Sequence, residues 1–229
     1  HSYKDMATQT TPGLTVAAVP EREAAHDVIV CRSRPVAETV RRSLENGASA
    51  ERVTIGTSSP RRSAQLRGAL ACSIEPVRGN VPTRIDKLMS PDTPYDAVCL
   101  AAAGLNRLRI APEHAVDLPT DRFPTAAAQG AIAVQTRTDG TLATTVARLE
   151  HTRTRRAAEA ERQFLRSIEA GCHTPAAAYA TDEEGATLLR TQYFTPDGAR
   201  FDAEARAADP IEAGRRCAQE TLEWLSART

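Results

Sequence analysis

Between residues 26 and 108, short β-branched apolar runs alternate with longer stretches whose apolar residues recur at helical spacing. "HDVIVC" (26–31) is a strand by this reading, and "PVAETVRRSLENG" (35–47) is an amphipathic helix closed by Gly47. The pattern then predicts a strand at "RVTIGT" (52–57), a helix at "SPRRSAQLRGAL" (59–70), a strand at "SIEPV" (73–77) and a helix at "VPTRIDKLM" (81–89). "YDAVCLAAAGLNRL" (95–108) reads as a buried strand running into another helix. Alternation of this kind implies βαβ units and a mostly parallel sheet covered on both faces.

"QGAIAVQTR" (129–137) supplies one further strand, followed by a turn at Asp139-Gly140. From Thr152 the character changes. "RTRRAAEAERQFLRSI" places Ala157, Ala160, Phe164, Leu165 and Ile168 on one helical face, with Gly171 as the expected C-terminal cap. Three strand candidates follow, "AAAYAT", "TLLRTQYF" and "FDAEARA", and Asp209-Pro210 can start a last helix as N-cap and first residue. The expected class is α/β, a doubly wound part plus a small C-terminal α+β domain, with no internal repeat or low-complexity linker.

Composition narrows the function. With 229 residues, 41% hydrophobic and 25% charged, the chain has room for two or three modest domains. No apolar run approaches the roughly 20 residues that span a bilayer, and "HSYKDMATQT" has no secretory character, so a cytoplasmic location without membrane partners is expected. The five cysteines, Cys31, Cys72, Cys99, Cys172 and Cys217, are widely spaced and form no C-x-x-C pair, which predicts reduced thiols and no metal site. Taken alone, Cys172 in "EAGC" reads as a small buried hydrophobe.

Basic and acidic residues balance at 29 each, which argues against a general nucleic-acid surface. Only Lys4 and Lys87 are lysines. Between Gly56 and Ile110, however, eight basic residues face four acidic ones, a local excess of four. In "GTSSPRR" (56–62), Ser59 can cap a helix and Pro60 suits its first position, which puts Arg61 and Arg62 in the first turn. Cations are repelled there by the helix dipole, so the pair asks for an anion. With Thr57, Ser58 and Ser59 they would make a carboxylate or phosphate site, although solvated arginines fit this motif equally well. Arg78, Arg84 and Arg107 follow the next two strands. In a parallel sheet such ends share one crevice, which suits a substrate with several carboxylates better than a mononucleotide. No Walker A or G-x-G-x-x-G sequence supports a nucleotide.

"HSYKD", "GTSSPRR", "RGNVPTR", "AAAGLNRL", "AAQGAIAV" and "EAGC", in this order, resemble the porphobilinogen deaminase family along the whole chain. The resemblance implies a monomeric three-domain enzyme with two domains of the periplasmic-binding type, which condenses four porphobilinogen molecules into hydroxymethylbilane with release of ammonia. It implies residues 1–25 and 125–150 as an incomplete first domain, 26–124 as the second and 151–229 as the third. By the same resemblance Cys172 carries a dipyrromethane cofactor through a thioether, and Asp5 is the catalytic carboxylate. Lys4, Thr57, Ser58, Ser59, Arg61, Arg62, Arg78, Gly79, Gln129 and Gly130 would hold the cofactor, and Arg84 and Arg107 the substrate. The chain opens inside "HSYKD", so an N-terminal segment of the family is expected to be missing and the 229-residue chain to be inactive. The residues alone also fit a non-catalytic or degenerate polycarboxylate-binding module of the periplasmic-binding type, which would have no reason to carry a covalent dipyrrole.

Overall fold

The computed structural model describes residues 1–9, 11–50, 52–139, 141–169 and 174–228. The chain divides into two compact units, His26–Phe123 and a split unit of His1–Ala25 with Pro124–Thr229. The segments expected as a first-domain remnant and as a C-terminal domain therefore fall in the same unit.

In chain order the split unit opens with a 3-10 turn at Tyr3–Asp5 and β1 (Leu14–Ala18). The five-stranded unit then runs β2 (Asp27–Cys31), α1 (Arg34–Asn46), β3 (Thr54–Gly56), α2 (Pro60–Leu70), β4 (Ser73–Glu75), α3 (Val81–Met89), β5 (Ala97–Ala101), α4 (Ala102–Arg107) and β6 (Ala115–Leu118). The split unit resumes with β7 (Val134–Arg137), α5 (Leu142–Val146), α6 (Thr152–Ser167), β8 (Ala176–Glu183), β9 (Ala186–Phe194), β10 (Arg200–Ala207) and α7 (Pro210–Ser226).

The five-stranded sheet has the order β4-β3-β5-β2-β6. β3 pairs in parallel with β4 and β5, whereas β2 is antiparallel to both β5 and β6. The mostly parallel expectation is thus corrected at β2, the one reversed strand. Ile29, Cys31, Ile55, Cys99, Val116 and Leu118 form a core with Ala37, Val40 and Leu44 of α1 and Leu66 and Leu70 of α2. Alternation sends Val28, Val30, Val98 and Leu100 to the opposite face, where they are also buried and α3 meets β5. Each such side chain stabilises the unit by about 1.5–3 kcal/mol. The helix ends follow local rules: Gly47 takes the left-handed cap after α1, and the Asn80 and Ser59 side chains accept from the first-turn N–H groups of Thr83 and Arg62.

In the split unit β1 and β7 pair antiparallel, and β8, β9 and β10 form an antiparallel meander. Helices α6 and α7 bury Ala157, Ala160, Phe164, Ala213, Cys217 and Ala218 against it. Asp209 caps α7 by accepting from Ile211 N–H at 2.9 Å, and Pro210 is its first residue. α6 stops at Ser167, with Glu169 in the left-handed region, so it ends before the expected Gly171 cap. Gly171, Cys172 and Gly140 lie outside the described residues.

The other four cysteines are free and buried. Burial pushes the thiols of Cys31, Cys99 and Cys217 up to about 12, and that of Cys72 to about 11, from an ordinary 9.0. A folded value above the unfolded one means that the stabilisation is complete below pH 9.0 and is lost as the pH rises toward 12. The urea midpoint is therefore expected to fall between about pH 8 and about pH 10.5, and to fall less in Cys217→Ala. Equal midpoints at the two pH values would contradict this linkage.

Candidate functional site

In the five-stranded unit the predicted residues gather at one edge of the sheet. Thr57, Ser58 and Ser59 follow β3, Arg78 and Gly79 follow β4, and Arg107 ends the helix that follows β5. Because these three strands are parallel, their carboxyl ends share that edge. The serines and threonine stitch it together: Thr57 N–H donates to Glu75 O at 2.9 Å, Thr57 Oγ1 accepts from Ser59 N–H at 3.2 Å, and Ser58 Oγ donates to Val77 O at 2.9 Å. Gly79 turns the chain with φ +125°, and a Cβ there would lie 2.8 Å from Thr83. Its carbonyl accepts Arg84 Nε at 2.7 Å, while Arg78 O accepts Lys87 Nζ at 3.0 Å.

Arg61 and Arg62 stand in the first turn of α2 as expected, but their anion is internal. Asp27, 1% exposed, accepts Arg61 Nη2 at 2.8 Å through one oxygen and Arg62 Nη2 at 2.6 Å through the other. Arg61 also donates to Gln65 Oε1 at 2.7 Å, and Arg62 to Cys99 O at 3.1 Å. Both guanidinium groups are buried. The anion that the first turn of α2 calls for is therefore met from within the unit by Asp27. The reversal of β2 is the reason: Asp27, its first residue, pairs with Ala101 at the end of β5 and so lies at the edge where α2 begins. Burial pulls the Arg62 guanidinium down, but Asp27 outweighs burial and the net direction is up.

Two guanidinium groups thus share the one carboxylate of Asp27. Arg84 is half-buried above it, and its pKa is lowered by burial first and by Arg62 second. Among the described residues Arg78 and Arg84 have no carboxylate at ion-pair distance. Arg78 and Arg107 are exposed. This donor set suits a ligand with more than one carboxylate, each charge-assisted contact contributing about 1.5–3 kcal/mol.

In the split unit, Lys4 and Asp5 are exposed on the 3-10 turn, whose Tyr3 is buried. Lys4 Nζ donates to Gln129 Oε1 at 3.5 Å, and Gln129 Nε2 donates to Ala25 O at 2.7 Å. Gln129 is buried, so it holds Lys4 and the 22–25 segment from within the protein. Gly130 has φ +84°, and a Cβ there would meet Glu23 O at 2.3 Å, closer than backbone can yield. Gln129 and Gly130 thus form the frame beneath Lys4. Cys172 lies outside the described residues.

Three further residues escaped the sequence reading. Glu161, fully buried, accepts Arg22 Nη1 at 2.7 Å, Ala128 N–H at 2.5 Å and Ala180 N–H at 2.8 Å. Arg162, the next residue, is also buried and reaches the Tyr3–Ala7 turn. Asp27 could have been suspected as the lone charge in an otherwise apolar strand run.

Comparison with known proteins places this geometry. Residues 1–145 match the family model described as porphobilinogen deaminase, dipyromethane cofactor binding domain, and residues 155–223 match porphobilinogen deaminase, C-terminal domain. A porphobilinogen deaminase of Leifsonia xyli is 38% identical over 225 residues, covering 93% of this chain and 64% of that protein. The one from Geobacillus kaustophilus is 40% identical over 222 residues, covering 95% and 68%. The one from Mycobacterium leprae is 43% identical over 182 residues, covering 79% and 54%. The matches thus span between about half and two thirds of these relatives' length.

Proposed function

Because the chain belongs to the porphobilinogen deaminase family, we propose that it acts in condensing four porphobilinogen molecules into hydroxymethylbilane, with release of ammonia, in tetrapyrrole synthesis. The observation that carries this reading is the edge of the five-stranded sheet, where Arg78, Arg84 and Arg107 follow the carboxyl ends of parallel strands, with Arg61 and Arg62 at the start of α2 beside them. Porphobilinogen and its oligomers carry two carboxylates per pyrrole, and such an edge binds and orients them. The sheet's single reversed strand, with helices on both faces, supports a unit of the periplasmic-binding type.

The dipyrromethane named by the family model, when bound through Cys172, supplies the pyrrole position at which the chain grows. In this proposal Arg78, Arg84 and Arg107 hold carboxylates at the sheet edge, with Arg61 and Arg62 beside them, and Lys4 holds another at the 3-10 turn. Asp5 protonates the aminomethyl nitrogen as the C–N bond breaks and ammonia leaves. It then stabilises the positive charge left on the substrate's methylene carbon and takes up the ring proton released at coupling. A carboxylate suits these roles because it can carry both a proton and a negative charge.

The test is peptide mapping by mass spectrometry, together with a porphobilinogen assay, on the 229-residue chain and on the chain extended to its relatives' length. The expected results are a pyrrole adduct on Cys172 and bilane formation by the extended protein. An adduct on another cysteine would overturn the assignment of Cys172. Absence of both adduct and bilane would favour a non-catalytic polycarboxylate binder.

A further inference from the structure

The turn that carries Lys4 and Asp5 is entered from a stretch paired with 131–133, through the Ser2–Ile132 bridge and the His1–Ala133 bonds. Its backbone donates Tyr3 N–H to Ala131 O at 3.0 Å, Asp5 N–H to Ser2 O at 3.1 Å and Met6 N–H to Tyr3 O at 3.3 Å. The carbonyls that flank Asp5 are bound from elsewhere. Arg162, on α6, is only 8% exposed; its Nη1 donates to Tyr3 O at 3.2 Å and to Met6 O at 3.1 Å, and its Nη2 donates to Ala7 O. The same guanidinium lies 4.5 Å from the centre of the Tyr3 ring.

This is a costly use of a cation. Burial lowers the Arg162 pKa, Arg166 adds repulsion, and among the described residues no carboxylate forms an ion pair with it. A buried charge met by neutral carbonyls is costly, and what it offers over an apolar residue is the geometry of its donors. The planar fork of arginine can hold carbonyls on both sides of a turn at once, whereas a lysine ammonium is a single point.

We propose that Arg162 is a positioning residue for Asp5: by clamping the carbonyls of Tyr3, Met6 and Ala7 it fixes where the Asp5 carboxylate stands during turnover. The proposal deepens the deaminase reading and rests on it. It also makes α6 a strut for the acid group, while Glu161, one residue earlier, ties the same helix to Arg22 and to the Ala128 amide.

The test uses Arg162→Lys, which keeps the charge and loses the fork, in the protein extended to its relatives' length. Hydrogen exchange should quicken in the peptide covering residues 1–9 and stay unchanged in peptides from α6. The dipyrrole adduct on Cys172 should be retained, kcat should fall between about tenfold and a hundredfold, and KM should move less than about threefold, as expected when a catalytic group is displaced by an ångström or so. If Arg162 acts through Asp5, Asp5→Asn with Arg162→Lys should be no slower than Asp5→Asn alone. Unchanged exchange in residues 1–9, or losses that multiply in the double variant, would overturn the proposal. A parent protein with neither adduct nor turnover would instead sink the deaminase reading, and the exchange measurement would still decide whether Arg162 holds the turn.

Discussion

Asp27→Ala is expected to cost the five-stranded unit about 3–5 kcal/mol, the usual consequence of leaving buried charges without their counter-ion. The Asp27 carboxylate accepts Nη2 of Arg61 at 2.8 Å and of Arg62 at 2.6 Å, and all three side chains are at most 8% exposed. Removing it leaves two buried guanidinium groups beside β2 without the carboxylate they share. A domain of this kind has some 5–15 kcal/mol in total, so the loss is a large fraction of its stability. The control is Glu212→Ala, which breaks a half-exposed pair with Arg216 on α7 and should cost about 1 kcal/mol at most. Urea unfolding followed by hydrogen exchange in peptides from residues 26–123 separates the two variants. A loss below about 1 kcal/mol for Asp27→Ala would show that the cluster contributes little to stability.

The same cluster marks where local sequence rules stop. Two arginines in the first turn of α2 call for an anion, and that much follows from the helix dipole alone. Which anion answers depends on Asp27, 34 and 35 positions earlier in the chain, and on β2 running against β5. Strand direction is settled by which strands become neighbours, and no residue in "HDVIVC" encodes it. β6 was invisible for a related reason: "AVDL" is four residues long, carries the exposed Asp117, and finds its place only through pairing with β2 and packing of Val116 and Leu118 in the core. Features that one segment decides by itself were legible, among them the Ser59 and Asp209 caps, the Gly47 stop and the strands of the meander. On α6 the apolar face of Ala157, Ala160, Phe164, Leu165 and Ile168 was legible, but periodicity does not mark Glu161 and Arg162. They are buried because the 1–25 and 124–130 segments cover their side as well, a tertiary fact with no periodic signature.

Asp5→Asn should leave the protein folded, with its dipyrrole attached, and nearly unable to turn over. Asp5 is exposed at the end of the 3-10 turn, and its backbone N–H, not its carboxylate, makes the turn's bond to Ser2 O at 3.1 Å. The amide therefore costs the fold little, and the arginine edge of the other unit is untouched. In the role proposed for Asp5, what the amide removes is chemistry: a group of the same size, it cannot deliver a proton to the aminomethyl nitrogen, offset a developing positive charge, or accept the proton released at coupling. Loss of a positioned acid–base group typically costs about 10²–10⁴ in rate. The expected pattern is thus a pyrrole adduct on Cys172 in the mass spectrum, an unfolding midpoint close to that of the parent, and bilane formation reduced at least about a hundredfold at saturating porphobilinogen. Asp5→Glu, which restores the carboxyl at a longer reach, should recover part of the rate, whereas loss of carboxylate binding alone would raise KM and leave kcat in place. Turnover by Asp5→Asn within a few-fold of the parent would remove Asp5 from the reaction and leave Lys4 as the turn's functional residue.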